Sequence, residues 1–273
     1  MDPLSWLLVL GAGVLAGTVN TIVGAGTLLT FPLLVALGVP PLTANVSNTV
    51  GLVPGSVTGA WGYRRELAGT WPTVARMAAL SAVGGVAGGL LLLAAPAATF
   101  TAVVPWLLVL AAGLAAAQPR VAAWVRRRAG EEPAEGPADQ PGAARPAERL
   151  DGSTRPLTPG LAAGIAATGV YGGYFGAAQG VLLISLLGIG WTTHLHRANG
   201  AKNVLAGTAN LVSAAVFVVG GAVDWRIAGF VAVGSAVGGV LGSRIGRRIP
   251  APALRGLIVV VALAAAVALW LRP

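Results

Sequence analysis

Apolar residues fill this chain in long stretches, at 4–23, 43–63, 73–95, 99–117, 199–220, 227–243 and 251–271. Most are close to the ~20 residues that a helix needs to cross a bilayer. They are apolar throughout rather than alternating, so they predict helices and not the strands of a barrel. Each half of the chain opens with a stretch too long for one crossing. Residues 4–38 would form a helix about 52 Å long at 1.5 Å per residue. Thr21-Ile22-Val23-Gly24-Ala25-Gly26-Thr27 interrupts it, and Gly172-Gly173-Tyr174-Phe175-Gly176-Ala177-Ala178-Gln179-Gly180 is the matching interruption in the second half. Five segments are therefore predicted in each half. The second of each, near 27–38 and 180–190, is short: a half-helix or one arm of a re-entrant hairpin.

Residues 118–156 differ in kind. They hold six of the nine acids and seven arginines, with Pro and Ala between, which predicts a polar, disordered linker. The chain thus divides into a first membrane repeat (1–117), the linker (118–156) and a second repeat (157–273). The repeats align at a shift of 154 positions, where residues 81–86 and 235–240 share the sequence Ser-Ala-Val-Gly-Gly-Val. The same shift lays Trp71 on Trp225, Ala44-Asn45 on Ala198-Asn199, Gly26 on Gly180 and Leu28-Leu29 on Leu182-Leu183.

Composition and charge narrow the class. Only 10% of residues are charged, the mean hydropathy is +0.78, and a soluble domain carries about 25% charged residues. A net charge of +9 would suggest nucleic acid in a soluble protein; here the basic residues sit in loops, where they set orientation, and no nucleic-acid partner is expected. With no cysteine and two histidines, thiolate chemistry is excluded and no metal or cofactor is expected. Met1-Asp2-Pro3 lacks the positive n-region of a signal peptide, so the first stretch is read as a retained helix.

If the linker, with Arg126-Arg127-Arg128, is cytoplasmic, five segments per half put Arg64, Arg65, Arg76, Arg197, Lys202, Arg244, Arg247, Arg248 and Arg255 inside. Only Asp2, Asp224, Arg226 and Arg272 fall outside. Four crossings would put the Arg244–Arg248 cluster outside, against the positive-inside rule. An odd number inverts the second half relative to the first. The predicted fold is thus an all-α polytopic membrane protein of two inverted repeats, the first helix of each broken by a Gly-rich stretch. In secondary transporters built this way the substrate lies near the midplane at the broken helices. The ladders Gly84/Gly88, Gly85/Gly89 and Gly234/Gly238/Gly242/Gly246 read as helix-packing seams.

The candidate site follows from the breaks. Interrupted helices in a membrane need cover from protein or a water-filled cavity, and the N-terminus of a half-helix attracts anions. Asn20, Thr21, Gly24, Gly26 and Thr27 supply the first break; Tyr171, Tyr174, Gln179 and Gly180 supply the second. A second constellation opens the next helix of each half: Asn45, Ser47, Asn48 and Thr49 in one, Arg197, Asn199, Lys202 and Asn203 in the other. Asn199, Lys202 and Asn203 share one helical face. Lys202 is the cation best placed to meet an anion, the competing expectation being a lysine snorkelling to the interface. Arg197 is read as interfacial and His194 and His196 as solvated loop residues. No carboxylate relay lies within the apolar segments.

These features resemble the sulfite exporter TauE/SafE family. The likeness is carried by residues 17–34 (Gly-Thr-Val-Asn-Thr-Ile-Val-Gly-Ala-Gly-Thr-Leu-Leu-Thr-Phe-Pro-Leu-Leu), Leu37-Gly38-Val39-Pro40-Pro41, Ala44-Asn45, Arg197-Ala198-Asn199-Gly200-Ala201-Lys202-Asn203 and Gly221-Ala222-Val223-Asp224-Trp225. It covers nearly the whole chain outside the linker. The second break carries Ala177-Ala178-Gln179 where the family commonly has glycine. The resemblance implies transport of small anions, often sulfur oxyanions or organosulfonates, across the cytoplasmic membrane. An inside-negative potential favours anion export without a coupling ion. The alternatives are an anion channel, or a non-transporting scaffold or intramembrane enzyme, though the bundle offers an enzyme no cysteine, no His pair at ligand spacing within a helix and no paired carboxylates. The expected partners are a small anion and the lipid bilayer, with a homo-oligomer left open.

Overall fold

Proline sets where several helices begin. It lacks the N–H that a first turn cannot use anyway, and it stands in the first turn of the helices that start at Pro3, Pro41, Trp71 and Pro159. Two starts are also capped. The Asp2 carboxylate accepts from the Ser5 hydroxyl (2.5 Å) and amide (2.9 Å), which hold it below the usual carboxylate range, and the Thr158 hydroxyl accepts from the Leu161 amide. The computed structural model describes residues 2–128, 154–245 and 251–271, and among these it contains helices and no strands. In chain order the helices are α1 (Pro3–Ile22), α2 (Thr27–Ala36), α3 (Pro41–Gly62), α4 (Trp71–Ala94), α5 (Ala97–Arg128), α6 (Pro159–Tyr174), α7 (Gln179–Gly190), α8 (Leu195–Val219), α9 (Trp225–Ile245) and α10 (Ala251–Trp270).

Five of these, α1, α4, α5, α8 and α9, are long and apolar enough to cross a membrane. With its 22 residues α3 is long enough too, but Asn45, Ser47, Asn48, Thr49 and Ser56 make it more polar, and all five are buried inside the bundle. Large apolar side chains such as Leu4, Leu7, Val83, Trp106, Val233 and Val260 face outward, as a lipid-exposed surface requires. One boundary differs from the sequence reading: α5 continues through Arg128, so residues 118–128 are helical, because Ala and Arg are good helix formers whatever their polarity. Residues 129–153 of the expected linker lie outside the described residues, as do Gly246, Arg247 and Arg248.

The short second segments are arms of hairpins. The Arg155 amide, just before α6, donates to the Trp191 carbonyl, just after α7, at 2.8 Å. Gly164 of α6 faces Leu186 of α7. So α7 runs back beside α6 toward the end where α6 began.

The two halves pack by exchange. Helix α1 lies against α9, and its counterpart α6 lies against α4, the counterpart of α9. The pairs α3/α9 and α8/α4 answer each other in the same way, while α3 meets α8 and α5 meets α10. Small residues make these approaches possible. A Cβ on Gly13 would lie 3.1 Å from the Val231 carbonyl, and one on Gly242 would lie 2.8 Å from that of Thr18, so numbering rises together along α1 and α9. It also rises together along α3 and α9 (Gly51 at Val231, Gly62 at Ser243) and along α4 and α6 (Ser81 at Gly169, Gly88 at Tyr174). It runs in opposite directions along α3 and α8, where Gly207 faces Ser56 and Gly200 faces Tyr63. Along α5 and α10 the ends also pair oppositely: Trp106 stacks edge-on with Trp270, and Arg255 Nε donates to Gln118 Oε1 at 3.0 Å.

These directions gather Arg64, Arg65, Arg76, Arg155, Arg197, Arg244 and Arg255 toward one end of the bundle. The opposite end has Asp2, Asp224 and Arg226.

Candidate functional site at the crossing of the two hairpins

The two interrupted helices meet backbone to backbone. The Gly180 amide donates to the Gly24 carbonyl at 3.1 Å, linking the tip of one hairpin to the tip of the other. Gly24 has φ +82 and Ala178, its counterpart at the shift of 154, has φ +59. Both tips therefore use the left-handed conformation. Glycine adopts it freely at 24, whereas alanine bears a cost of about 1–2 kcal/mol at 178. A Cβ on Gly24 would fall within 3.1 Å of the Gly180 amide nitrogen and still closer to its Cα.

Beside this junction lies a polar cluster. Lys202 is 0% exposed. Its stem runs past Gly180, and its Nζ donates to the carbonyls of Asn20 and Thr21, both at 3.1 Å. Those carbonyls close the C-terminal turn of α1, the end of a helix that carries partial negative charge and lacks backbone donors. The side-chain amides of Asn199 and Asn203 donate to the same Thr21 carbonyl, each at 3.3 Å. The ammonium is thus held by the backbone. The acids among the described residues are engaged at helix ends: Asp2 caps α1, Asp224 accepts from the Arg226 and Ile227 amides, and the Glu66 segment meets Arg197 Nε through its carbonyl. Complete burial excludes the snorkelling alternative for Lys202. It lies seven residues into α8, about 10 Å from that helix's start at 1.5 Å per residue.

Asn45 and Asn199, equivalent by the repeat, play equivalent parts. Asn199 reaches the Thr21 carbonyl of the first half's broken helix, and Asn45 Nδ2 reaches the Tyr174 carbonyl of the second half's at 3.0 Å. The Oδ1 atoms of both are buried and have no hydrogen-bond partner. Asn48 occupies the place of Lys202 in the first half and is neutralised locally: its Oδ1 accepts from Thr30 at 2.5 Å and its Nδ2 donates to Thr27 at 3.5 Å.

The other expected site residues are structural neighbours of this cluster. Gln179 is buried against Gly172 and donates to the Thr168 carbonyl, bracing the α6/α7 hairpin, and Tyr171 closes the same turn on the Ala177 carbonyl. Gly26 lets α2 start against the Ala16 carbonyl. The amides of Leu28, Leu29, Gln179 and Val181 are taken by carbonyls within their own turns. The positive charge at the junction therefore comes from Lys202 more than from free helix N-termini. His194 and His196 are exposed, but His196 lies in the first turn of α8, with His194 at its N-cap, rather than in a loop.

The two sides of the junction differ, and the sequence reading missed this. On the Arg64 side, a cavity of about 540 Å³ is lined by Ser56, Trp61, Arg64, Trp71, Asn203 and Thr208, among others. Ser56 is also in reach of Asn20 Nδ2, at 3.5 Å. On the Tyr174 side, Phe31, Phe100 and Phe175 are buried and pack edge-to-face with one another, and Tyr174 packs on Phe100. The scarcity of phenylalanine, five in the whole chain, was the one available hint that these three are placed rather than incidental.

Comparison with known proteins agrees with this architecture. The chain is 27% identical over 266 residues to the probable membrane transporter protein ORF9 of Sinorhizobium sp, covering 96% of this chain and 91% of that protein. It is 26% identical over 251 residues to the probable membrane transporter protein YfcA of Escherichia coli strain K12, covering 90% and 82%. No solved structure matches the chain. The profile of the Sulfite exporter TauE/SafE family matches residues 9–269, which is every described helix but the ends of the first and last. With that match and a bundle of lipid-length apolar helices, the chain is a multi-pass membrane protein that belongs to the TauE/SafE family.

Proposed function

We propose that this protein is a secondary transporter of small anions, sulfur oxyanions or organosulfonates, acting as an exporter at the cytoplasmic membrane. The single observation that carries the reading is Lys202: a fully buried ammonium without a carboxylate, at the crossing of two interrupted helices, beside a cavity. A buried charge is costly unless something compensates it. Two of its three N–H groups are met by carbonyls, and the third is left for an anion arriving past Asn203. Arg64 at the cavity wall and the apolar walls below it suit an anion with a small organic body.

Orientation follows from charge. Arginines gather at the Arg64 end, which the positive-inside rule assigns to the cytoplasm, together with the segment 129–153. The opposed directions of α3 and α8, and of α5 and α10, support an inverted repeat across the bilayer. The cavity then lies on the cytoplasmic side of the junction and the aromatic cluster on the outer side, a disposition that suits a carrier taking its substrate from the inside. An inside-negative potential favours outward movement by ~2.3 kcal/mol per 100 mV for each negative charge.

The test is thermal stabilisation of the detergent-purified protein across sulfite, sulfate, thiosulfate, taurine, sulfoacetate and small carboxylates, followed by liposome flux of the best ligand. A ligand that binds only the folded state raises the melting temperature. A rise with one anion, lost in Lys202→Ala while that variant stays folded, is expected. No rise with any of them would sink the anion reading.

A further inference from the structure

We propose that the Lys202 ammonium stands in for a coupling cation, so that this protein needs no monovalent metal ion and its own lysine fills a built-in cation cage. The proposal rests on the reading of the Lys202 junction as the transport site.

Secondary transporters with interrupted helices hold Na⁺ or H⁺ against unwound backbone carbonyls and half-helix C-terminal ends. The C-terminal turn of α1 offers that chemistry. Its Asn20 and Thr21 carbonyls converge on one point, 3.1 Å from each to Nζ, and at that point the chain places its own cation. Burial of Lys202 is complete, and no acid shares the charge among the described residues. A neutral side chain there would leave the Asn20 carbonyl facing a buried space without its donor, and the Thr21 carbonyl with the Asn199 and Asn203 amides alone. Asn199 Oδ1, already a buried acceptor without a partner, is borne by a residue that bonds the same Thr21 carbonyl. Oxygen donors of this kind, carbonyl and carboxamide, are what a hard monovalent cation takes.

The first half provides an internal control. Its counterpart residue, Asn48, is neutral and is satisfied by the Thr27 and Thr30 hydroxyls, and the α6 end it would serve is met by Asn45 alone. The cage and its cation are thus a property of one half, built where the cavity arrives. Gly180 is what admits the stem: a Cβ there would stand 3.1 Å from Lys202 Cδ.

The experiment compares melting of the detergent-purified protein in sodium, potassium and choline chloride at equal ionic strength. Wild type is expected to melt at the same temperature in all three. Lys202→Ala is expected to melt lower in choline and to regain several degrees in sodium or potassium, with a saturating dose response. Lys202→Asn, carrying the residue the first half uses, is the second variant should alanine not fold. A wild type stabilised by sodium or potassium over choline would overturn the proposal, because the chain would then hold a metal cation as well. A folded variant that melts alike in all three salts would overturn it too. Neither readout involves the transported anion, so a failed anion screen would sink the transport reading and leave this result to be judged separately.

Discussion

Gly24→Ala is the sharpest test of the hairpin crossing. Two separate costs apply at that position. The left-handed φ of +82 disfavours a Cβ by about 1–2 kcal/mol. The new methyl would also press on the Gly180 backbone, 3.1 Å from its nitrogen and closer to its Cα, where overpacking costs about 1–3 kcal/mol. Together these come to roughly 2–5 kcal/mol, or a fall of the order of 10 °C at ~2–4 °C per kcal/mol for a chain of this size. Two other glycines separate the terms. Gly38 has φ +86 with nothing within 4 Å, so Gly38→Ala should carry the backbone cost alone. Gly113 lies in α5 with nothing within 4 Å and no positive φ, so Gly113→Ala should leave the melting temperature unchanged or slightly raised, since alanine is the better helix former. Melting of the three variants in one detergent gives the comparison. If Gly24→Ala melts no lower than Gly38→Ala, the tips do not touch and the site built on their crossing is wrong.

Three further outcomes are expected. Phe175→Ala should cost about 3–5 kcal/mol as a large aromatic deletion from a buried cluster, measurable by the same melting assay, and a loss under 1 kcal/mol would deny that the cluster is packed. The chain has no cysteine, so Thr208→Cys should react with a membrane-impermeant thiol reagent applied from the cytoplasmic side, while Phe100→Cys should resist it from either side; the reverse pattern would reverse the cavity's orientation. An epitope placed in residues 129–153 should bind antibody only after the inner face is made accessible, and binding to intact spheroplasts would overturn the cytoplasmic assignment.

Much of this protein is legible along the chain because a bilayer is an undemanding solvent to read. Length and continuous apolarity mark the helices, and Gly24, Gly26 and the glycines at 172–180 mark their interruptions, since lipid leaves a backbone few alternatives. The repeat register already paired Asn45 with Asn199 and Asn48 with Lys202. The polar composition of residues 118–128 misled, because helix propensity follows side-chain entropy rather than polarity. What the sequence could not decide is which partner each polar group takes. Asn48 and Lys202 hold equivalent places, yet one bonds hydroxyls of its own half and the other reaches carbonyls of the opposite half. Nor could it show that Phe31 of α2, Phe100 of α5 and Phe175 of the turn after α6 would meet on one side of the junction, with Ser56, Asn203 and Arg64 around a cavity on the other. Local pattern determines which segments are buried in the membrane. The meeting of residues more than 200 positions apart is decided by how helices with glycine-thinned surfaces settle against one another, and that only the tertiary packing contains.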